Sequence, residues 1–333
     1  MSTILVTGSA GFIGFHVTKA LLEAGETVIG LDNFTPYYAP ELKWAREEVL
    51  RSNSHYFSVQ TDLVNREAVK RCFHDFSPDI VCHLAAQAGV RYSLRNPHAY
   101  QQSNLEGFLN LIEEARLLPV KRFVYASSSS VYGGNTKMPY SEDDPVNTPV
   151  SLYAATKRAN ELMAYTYTHL WGLQTVGLRF FTVYGPWGRP DMAYWSFLEA
   201  ILHREPIKVF NYGRNRRDFT YINDIVPGVL AALTVDTLGP YEIINLGNNK
   251  PEDLTYFIQV LEDLSGRTAI KEMVPAQPGD VVATYADIEK ARRKLGFSPK
   301  TSLKDGLGPF VTWYQERHEL VETVREFRIS ERG

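Results

Sequence analysis

A tyrosine and a lysine stand four residues apart on this chain, at Tyr153 and Lys157. On a helix, residues at positions i and i+4 share a face, so both side chains are expected to reach one pocket. A lysine cation beside a phenol favours the phenolate and lowers the pKa of the tyrosine. The spacing therefore predicts a tyrosine that accepts a proton from a bound hydroxyl group at neutral pH.

A glycine-rich segment follows an apolar run and opens a helical pattern, with glycines at positions 8, 11 and 14. Glycine lets the backbone approach a pyrophosphate at the N-terminus of a helix, although loops also use glycine for ordinary turns. Asp32, at the end of the second predicted strand, favours a dinucleotide site, because a carboxylate there binds the adenosine ribose and repels a 2′-phosphate. The sequence therefore predicts bound NAD rather than NADP.

Polar and small residues after the later predicted strands are further candidates for the cofactor site. Asp62 is expected either to hold the adenine edge or to be a simple turn residue, and the small residues at 84–87 suit a cofactor or helix packing. Asn104 is either structural or a bridge between the backbone and the cofactor. The predicted cofactor-binding residues are Gly8, Gly11, Phe12, Ile13, Gly14, Asp32, Asn33, Asp62, Leu63, Leu84, Ala85, Ala86, Gln87, Asn104, Tyr153 and Lys157.

Alternating strands and helices must position these residues. Apolar runs predict strands at 4–6, 27–31, 56–59, 79–84, 123–126 and 175–181, and helical patterns lie between them at 12–24, 66–76, 104–116 and 153–169. This alternation predicts an α/β fold, a Rossmann-type doubly wound parallel sheet with a smaller C-terminal α/β domain. We expect an NAD-binding domain over 1–180 and a substrate domain over 181–333, with 220–250 rejoining the first.

Composition argues against several classes of protein. The formal net charge is −3, so nothing indicates binding to nucleic acid or to an anionic membrane. No apolar run approaches the roughly 20 residues that span a bilayer, and the sequence starts without a secretory signal pattern. Two cysteines, and eight histidines without a ligand-like cluster, predict neither a disulfide framework nor a metal site. A cytoplasmic protein is expected.

Together the glycine segment, Asp32, the serines at 127–128 and the pair Tyr153 and Lys157 resemble the extended short-chain dehydrogenases/reductases that act on nucleotide sugars. The resemblance covers essentially the whole chain. It implies that Tyr153 is the base, that Lys157 binds the nicotinamide ribose, and that Ser128, which stands 25 residues before Tyr153, hydrogen-bonds the reacting sugar hydroxyl. These three residues are the predicted catalytic residues.

The segment 127–133 distinguishes between the reactions of this family. Relatives that eliminate water across C5–C6 carry Asp-Glu where this chain has Ser129 and Ser130. That elimination needs an acid and a base, and serine hydroxyls supply neither well at neutral pH. Decarboxylases of nucleotide sugars carry a glutamate at the Ser130 position. The remaining reaction is oxidation at C4 followed by reduction from the other face, which is a 4-epimerisation.

The segments 83–93 and 179–193 resemble the UDP-glucuronate 4-epimerases of that family, and galactose-type relatives usually have asparagine at the Thr182 position. Oxidised at C4, glucuronate is a β-keto acid that loses CO₂ when its carboxylate aligns with the carbonyl. Hydroxyl groups of Ser129, Ser130 and Thr182 are expected to hold that carboxylate in an unreactive orientation, unless Thr182 is ordinary strand packing. Arg189 is expected to add a charge that suits a carboxylate, or to be a surface loop arginine.

The nucleotide end of the substrate needs cations and an aromatic wall. Arg217 matches the family arginine that meets the pyrophosphate, with a solvated charge beside Asp218 as its alternative. Gln277 stands where galactose-type relatives often carry arginine, and Phe210 packs either on uracil or in the core. The predicted substrate-binding residues are Arg91, Ser128, Ser129, Ser130, Thr182, Arg189, Phe210, Arg217 and Asp280.

Three other activities remain open at this stage. The chain could epimerise a neutral UDP-hexose, decarboxylate UDP-glucuronate with unusual acid residues, or bind NAD without catalysis, although the intact Ser128, Tyr153 and Lys157 argue against the last. Relatives dimerise by pairing two helices from each subunit, and the matching segments here are 104–116 and 153–169. The resemblance therefore implies a homodimer.

Overall fold

The computed structural model describes residues 2–276 and 283–330 of the chain. In chain order the strands are β1 (Thr3–Thr7), β2 (Thr27–Asp32), β3 (Tyr56–Gln60), β4 (Ile80–His83), β5 (Arg122–Ser128), β6 (Thr175–Phe180), β7 (Thr182–Tyr184), β8 (Pro206–Val209), β9 (Arg216–Tyr221), β10 (Tyr241–Leu246), β11 (Pro251–Asp253), β12 (Ile270–Met273) and β13 (Ala283–Thr284).

The α-helices alternate with these strands through most of the chain. They are α1 (Phe12–Glu23), α2 (Pro40–Arg51), α3 (Arg66–Phe76), α4 (Tyr92–Arg95), α5 (Pro97–Tyr100), α6 (Gly107–Leu117), α7 (Leu152–Trp171), α8 (Ala193–His203), α9 (Ile222–Thr234), α10 (Leu254–Ser265), α11 (Glu289–Leu295), α12 (Leu303–Glu316) and α13 (His318–Ser330). A π-helical stretch, Gln101–Glu106, leads into α6, and a 3₁₀ turn, Ser129–Tyr132, follows β5.

The main sheet is parallel and has the order β10-β6-β5-β4-β1-β2-β3 in the described chain. The chain winds outward from β1 in one direction and from β4 in the other, so the carboxyl ends of β1 and β4 flank a topological switch point. Ligands bind in the crevice at such a point in open parallel sheets. The doubly wound sheet predicted from the sequence is confirmed.

Both faces of the sheet are covered, which explains why its strands are continuous apolar runs. Alternate residues of a strand point to opposite faces. Ile4 and Val6 of β1 pack into one hydrophobic cluster with α1, while Leu5 packs into a second cluster with α3 and α6. All three side chains are at most 1% exposed. The sheet is therefore the middle layer of a three-layer structure.

The C-terminal part of the chain forms smaller sheets over the carboxyl edge of the main one. Strand β9 pairs with β7, β11 and β13, and β8 pairs with β12. The chain returns to the main sheet between these pieces, because α9 packs against α1 and β10 pairs with β6. No helix in 2–276 or 283–330 is long and apolar enough to cross a membrane.

Helix α2 was not predicted from the sequence, and it carries a buried arginine. Arg46 is fully buried. Its guanidinium donates hydrogen bonds to four oxygen atoms, those of the Ala10 carbonyl (2.8 Å), the Tyr38 hydroxyl (2.8 Å), the Trp187 carbonyl (2.6 Å) and the Gly188 carbonyl (2.9 Å). Arg46 therefore joins the glycine loop to a loop that is more than 140 residues away in sequence.

Replacement of Arg46 by methionine is expected to lower the free energy of unfolding by about 3 kcal/mol, because buried carbonyl groups lose their donors. Lys19→Met is the matched control, since the Lys19 side chain is 53% exposed and its ion pair with Glu23 lies on the helix surface. The control should change stability by less than about 1 kcal/mol. Urea unfolding measures both, and equal effects would contradict a structural role for the buried guanidinium.

Candidate active site

The glycine loop brings the backbone of three segments into close contact. Gly8 has φ +73°, and a Cβ there would lie 2.7 Å from the Ala85 nitrogen, while a Cβ at Gly14 would overlap the Gly8 carbonyl oxygen. Helix α1 begins at Phe12, and its N-cap residue Gly11 offers no side-chain cap. Backbone N–H groups of the first turn are therefore available to an anion, which fits the pyrophosphate of NAD.

Asp32 lies at the carboxyl end of β2 and organises the same loop. Its carboxylate accepts hydrogen bonds from the Ala10 nitrogen (3.2 Å) and the Phe34 nitrogen (2.8 Å), and the Lys43 ammonium lies 3.8 Å away. A carboxylate has about four lone-pair positions, so capacity remains for a ribose diol. Lys43 on α2 was missed by the sequence reasoning, because the helix that buries it was missed.

The residues predicted to meet the adenine form a turn after β3. The Asn33 amide donates a hydrogen bond to the Asp62 carboxylate (2.7 Å), which also accepts one from the Val64 nitrogen (3.0 Å). Leu63 between them is buried. Asp62 therefore has the turn role that was its structural alternative, and its contact with adenine stays a prediction.

Asn104 ties the loop after β4 to helix α7. Its amide oxygen accepts a hydrogen bond from the Gln87 nitrogen (2.8 Å), and its amide nitrogen donates to the Gln87 carbonyl and the Thr156 hydroxyl (3.0 Å each). Asn160 donates to the Asn104 carbonyl (2.7 Å). Asn104 therefore has the structural role that was one of its two alternatives, and its contact with the cofactor stays a prediction. Leu84, Ala85 and Ala86 are half-buried at the same strand end.

The predicted base and its serine partner come together at the start of α7. Ser151 caps this helix by accepting a hydrogen bond from the Ala154 nitrogen (3.1 Å). The 3₁₀ turn that follows Ser128 packs against this helix. Burial raises the pKa of Tyr153, while the Ser128 hydrogen bond and the Arg189 cation act in the opposite direction. Ser128 also accepts hydrogen bonds from the nitrogen (3.2 Å) and hydroxyl (2.8 Å) of Ser130.

Lys157 is buried on the same side of α7 as Tyr153. Its ammonium donates a hydrogen bond to the Ala126 carbonyl (2.9 Å), and burial lowers the pKa of Lys157 to about 8. The ammonium is thus directed to strand β5. The expected effect of Lys157 on the pKa of Tyr153 stays a prediction.

A buried ion pair behind the serine turn was also missed. Glu161 accepts two hydrogen bonds from Arg179 (2.8 and 2.9 Å) and one from the Ser127 hydroxyl (2.6 Å). The Arg179 guanidinium lies over the Tyr132 ring, 4.8 Å from its centre. Glu161 follows Lys157 by four residues, and this spacing could have placed it on the same face of the helix from the sequence alone. This cluster fixes the end of β5 and the 3₁₀ turn after it.

The hydroxyl groups predicted to hold a carboxylate lie at adjacent strand ends. Ser128 of β5 is paired in register with Phe180 of β6. Ser129 and Ser130 follow the first strand, and Thr182 follows the second two residues later, and all three are half-buried. The parallel pairing therefore brings these hydroxyl-bearing residues to one edge of the sheet.

Arg189 lies partly buried in the loop after β7, and its contact with a ligand stays a prediction. Its side chain is 22% exposed and pairs with Asp191, whose side chain is 30% exposed. The Tyr37 hydroxyl donates a hydrogen bond to the same carboxylate (3.2 Å). The charge of Arg189 acts to lower the pKa of Tyr153, against the larger effect of burial. Asp191 and Tyr37 were not singled out from the sequence.

The predicted nucleotide-binding residues are spread over the C-terminal part of the chain. The Arg91 guanidinium lies over the Phe210 ring, 5.4 Å from its centre, so those two are brought together. Arg217 on β9 is half-buried, and its charge lowers the pKa of Tyr140 against the larger, opposite effect of burial. Gln277 and Asp280 lie outside the described residues.

Comparison with known proteins places this chain in a family. The model of the NAD dependent epimerase/dehydratase family matches residues 4–247. The chain is 49% identical to UDP-glucuronate 4-epimerase 4 of Arabidopsis thaliana over 94% of this chain and 75% of the relative. It is 43% identical to a probable UDP-glucuronate 4-epimerase of Rhizobium meliloti, over 96% of this chain and 99% of the relative.

A solved structure agrees with these sequences. The crystal structure of UDP-glucuronic acid 4-epimerase from Bacillus cereus, in complex with UDP-glucuronic acid and NAD, has a TM-score of 0.88 and 36% identity to this chain, covering 94% of this chain and 99% of the other. The protein therefore belongs to the NAD dependent epimerase/dehydratase family. The resemblance predicted from the glycine segment, Asp32, Tyr153 and Lys157 is confirmed, together with the expected dependence on NAD.

The lowered pKa of Lys157 predicts a pH dependence of stability. Between pH 8 and 10.5 the unfolded chain binds a proton at this lysine that the folded chain does not, so the folded state gains stability as the pH rises. Relative to a Lys157→Met variant, the free energy of unfolding should rise by about 2 kcal/mol from pH 7.5 to 9.5. Urea unfolding at both pH values measures this difference. An equal change in the free energy of unfolding of the two proteins would refute the lowered pKa of the buried Lys157.

Proposed function

We propose that this protein interconverts UDP-glucuronate and UDP-galacturonate by inverting the configuration at C4 of the sugar. The supporting observation is that β5 ends in Ser128 and is followed by Ser129 and Ser130, so hydroxyl groups stand where dehydratases and decarboxylases of this family carry acids. Similar proteins from Arabidopsis thaliana and Bacillus cereus carry the name of this reaction. We assign the reaction to this chain on these two grounds.

The proposed proton transfer uses the residues at the start of α7. Bound NAD supplies a hydride acceptor that also returns the hydride. The Tyr153 oxygen takes the proton of the C4 hydroxyl, and the Ser128 hydroxyl aligns that group by a hydrogen bond to it. The same tyrosine returns the proton when C4 is reduced from the other face. Lys157 binds the nicotinamide ribose in this proposal.

The cofactor site is proposed on the fit of the loop to a dinucleotide. The uncapped first turn of α1 would hold the pyrophosphate, and Asp32 would accept the hydroxyls of the adenosine ribose. We add Lys43 to the predicted set, because its ammonium lies 3.8 Å from the Asp32 carboxylate. The contacts of Asn33, Asp62 and the 84–87 segment remain as proposed from the sequence.

The sugar carboxylate is proposed to lie among Ser129, Ser130 and Thr182, with Arg189 supplying the charge. Neutral hydroxyls can hold the carboxylate without protonating the carbon or oxygen atoms nearby. No carboxylic acid stands at positions 129 and 130, so this pocket lacks the acid and base that elimination of water needs. Epimerisation is therefore the favoured outcome of oxidation at C4.

The nucleotide is proposed to remain fixed while the sugar turns over. Arg217 would bind the diphosphate and Phe210 would pack against the uracil, with Arg91 above that ring. Asp280 is proposed to contact the nucleotide by resemblance alone. These residues lie in the part of the chain, 181–333, that we propose as the substrate domain, apart from Arg91.

The purified protein, incubated with UDP-glucuronate without added cofactor, is expected to give a mixture of UDP-glucuronate and UDP-galacturonate by proton NMR. The matched control is Tyr153→Phe, which keeps the ring and removes the proton acceptor. This variant should retain NAD and lose turnover by orders of magnitude. NAD released on denaturation is quantified in both proteins, so that a loss of cofactor is not mistaken for a loss of the base.

Three results would contradict the proposal. A UDP-pentose product would mean that the carboxylate is not protected and that the enzyme is a decarboxylase. Conversion of UDP-glucose or UDP-galactose alone would support 4-epimerase activity but contradict the proposed binding site for a sugar carboxylate. Near-normal turnover by Tyr153→Phe would refute the assigned base.

We also propose a homodimer formed through helices α6 and α7. Large apolar side chains are exposed on both helices, among them Leu109 on α6 and Leu162 and Tyr165 on α7, at 45%, 52% and 53% exposure. Burial of such a face against a second copy would remove it from water. A C2 dimer of this type needs the same surface on both subunits.

Leu162→Arg is expected to convert this dimer to a monomer, because it places two like charges at a self-complementary apolar contact. Ile270→Arg on β12 is the matched control, since Ile270 is also 53% exposed but lies on another part of the molecule. Light scattering coupled to gel filtration at micromolar concentration measures the mass. A monomeric parent protein, or an unchanged mass for Leu162→Arg, would disprove the proposed interface.

Cytoplasmic residence is proposed from the cysteines. Cys72 and Cys82 are both free and buried. Burial raises the pKa of each thiol to about 12, so neither is a ready thiolate. A reducing compartment is the usual environment of such a protein.

A further inference from the structure

The candidate carboxylate pocket contains an acidic residue that the proposed reaction does not use. Asp191 binds Arg189 by two parallel hydrogen bonds, from Nε to Oδ1 (3.0 Å) and from Nη2 to Oδ2 (2.5 Å). The Tyr37 hydroxyl donates a third hydrogen bond to Oδ2 (3.2 Å). This bidentate geometry fixes both the position and the orientation of the guanidinium.

Adjoining aromatic rings connect the ion pair to the candidate base. The Tyr37 ring packs on Tyr92 (4.9 Å between ring centres), and Tyr92 packs on Tyr100 (6.2 Å). The Tyr100 ring lies 6.0 Å from that of Tyr153. Both members of the ion pair are partly exposed.

Within residues 2–276 and 283–330 no group accepts a hydrogen bond from Nη1 of Arg189. The backbone N–H of Arg189 donates a hydrogen bond to the Tyr194 hydroxyl (2.9 Å), which also fixes the backbone at this position. Arg189 thus presents one edge to Asp191 and leaves the Nη1 edge to a ligand.

An oxygen ligand on that free edge meets two opposite effects. The guanidinium attracts a carboxylate, but Asp191 on the other edge of the same cation repels it, because the two anions are separated by the width of one guanidinium. A neutral hydroxymethyl group at the same place is neither strongly attracted by the guanidinium nor strongly repelled by Asp191. Asp191 therefore acts on charged sugars and has little influence on neutral ones.

We propose that Asp191 is a specificity-determining positioning residue, which limits how tightly Arg189 holds the carboxylate of the sugar. The inference rests on the proposed function. A 4-epimerase must bind its sugar with either face towards the same reacting groups, so a carboxylate anchored too strongly in one orientation would slow the exchange. By sharing the charge of Arg189, Asp191 keeps both orientations close in free energy.

The inference makes a selective prediction for binding. Neutralisation of Asp191 in the variant Asp191→Asn should lower the Kd for UDP-glucuronate about tenfold, since the repulsion is removed while the guanidinium remains. The Kd for UDP-glucose should change less than about twofold, because that sugar carries no charge at C6. In the active enzyme the same substitution should lower both KM and kcat for UDP-glucuronate.

Binding is measured by calorimetry in a Tyr153→Phe background, which holds NAD but does not turn the ligands over. Asp191→Ser is the second neutral variant, in case the asparagine variant does not fold, and circular dichroism checks both. Arg189→Met provides a second background. There Asp191→Asn should still lower the Kd for UDP-glucuronate relative to that for UDP-glucose, because the repulsion between the Asp191 carboxylate and the sugar carboxylate does not need the guanidinium. An unchanged ratio of the two Kd values would overturn the proposed repulsion.

The outcomes separate this inference from the proposed function. Equal changes in Kd for UDP-glucuronate and UDP-glucose would show that Asp191 only supports the fold of its loop, and would overturn the inference. Weaker binding of UDP-glucuronate in both neutral variants would overturn it as well. An active enzyme that epimerises only UDP-glucose would contradict both the proposed function and this inference. The NMR assay with UDP-glucuronate detects that case without any measurement on Asp191.

Discussion

The parallel pairing of β1, β4, β5 and β6 is the constraint on which the candidate site depends. Parallel strands end at the same edge of a sheet, so residues far apart in sequence meet there without any direct attraction between them. The register of β5 and β6 places Ser128 opposite Phe180, and the serine turn and Thr182 follow from that pairing. Because every strand returns through a helix, both faces of the sheet are buried and its edge has little freedom to shift.

Around this edge, the side chains that hold the site together are more numerous than those proposed to react. Asn104 joins the loop after β4 to α7, and Glu161 with Arg179 supports the end of β5. Each satisfies buried polar groups that would otherwise destabilise the fold. Burial raises the pKa of the Tyr153 hydroxyl, and Ser128 and Arg189 oppose that rise. Positioning of this kind is what a reaction at two faces of one sugar needs.

The sequence allowed the main sheet and the central motifs to be predicted, because buried parallel strands are continuous apolar runs and glycine spacing is a local property. Helix α2 was missed, since its buried face includes Lys43, Arg46 and Glu47, which resemble a solvated surface in sequence. The pairing of Asp191 with Tyr37 depends on residues 154 positions apart. The direction of the Lys157 ammonium depends on strand β5, which local spacing cannot indicate.

Arg46 connects two regions that the proposed reaction uses for different ligands. One side of its guanidinium bonds the glycine loop at Ala10, and the other bonds the loop at Trp187 and Gly188, directly before Arg189. A ligand that ordered one of these loops would act on the other through the same guanidinium. Thermodynamic reciprocity would then make the effect of the dinucleotide on the affinity for the sugar equal to the effect of the sugar on the affinity for the dinucleotide.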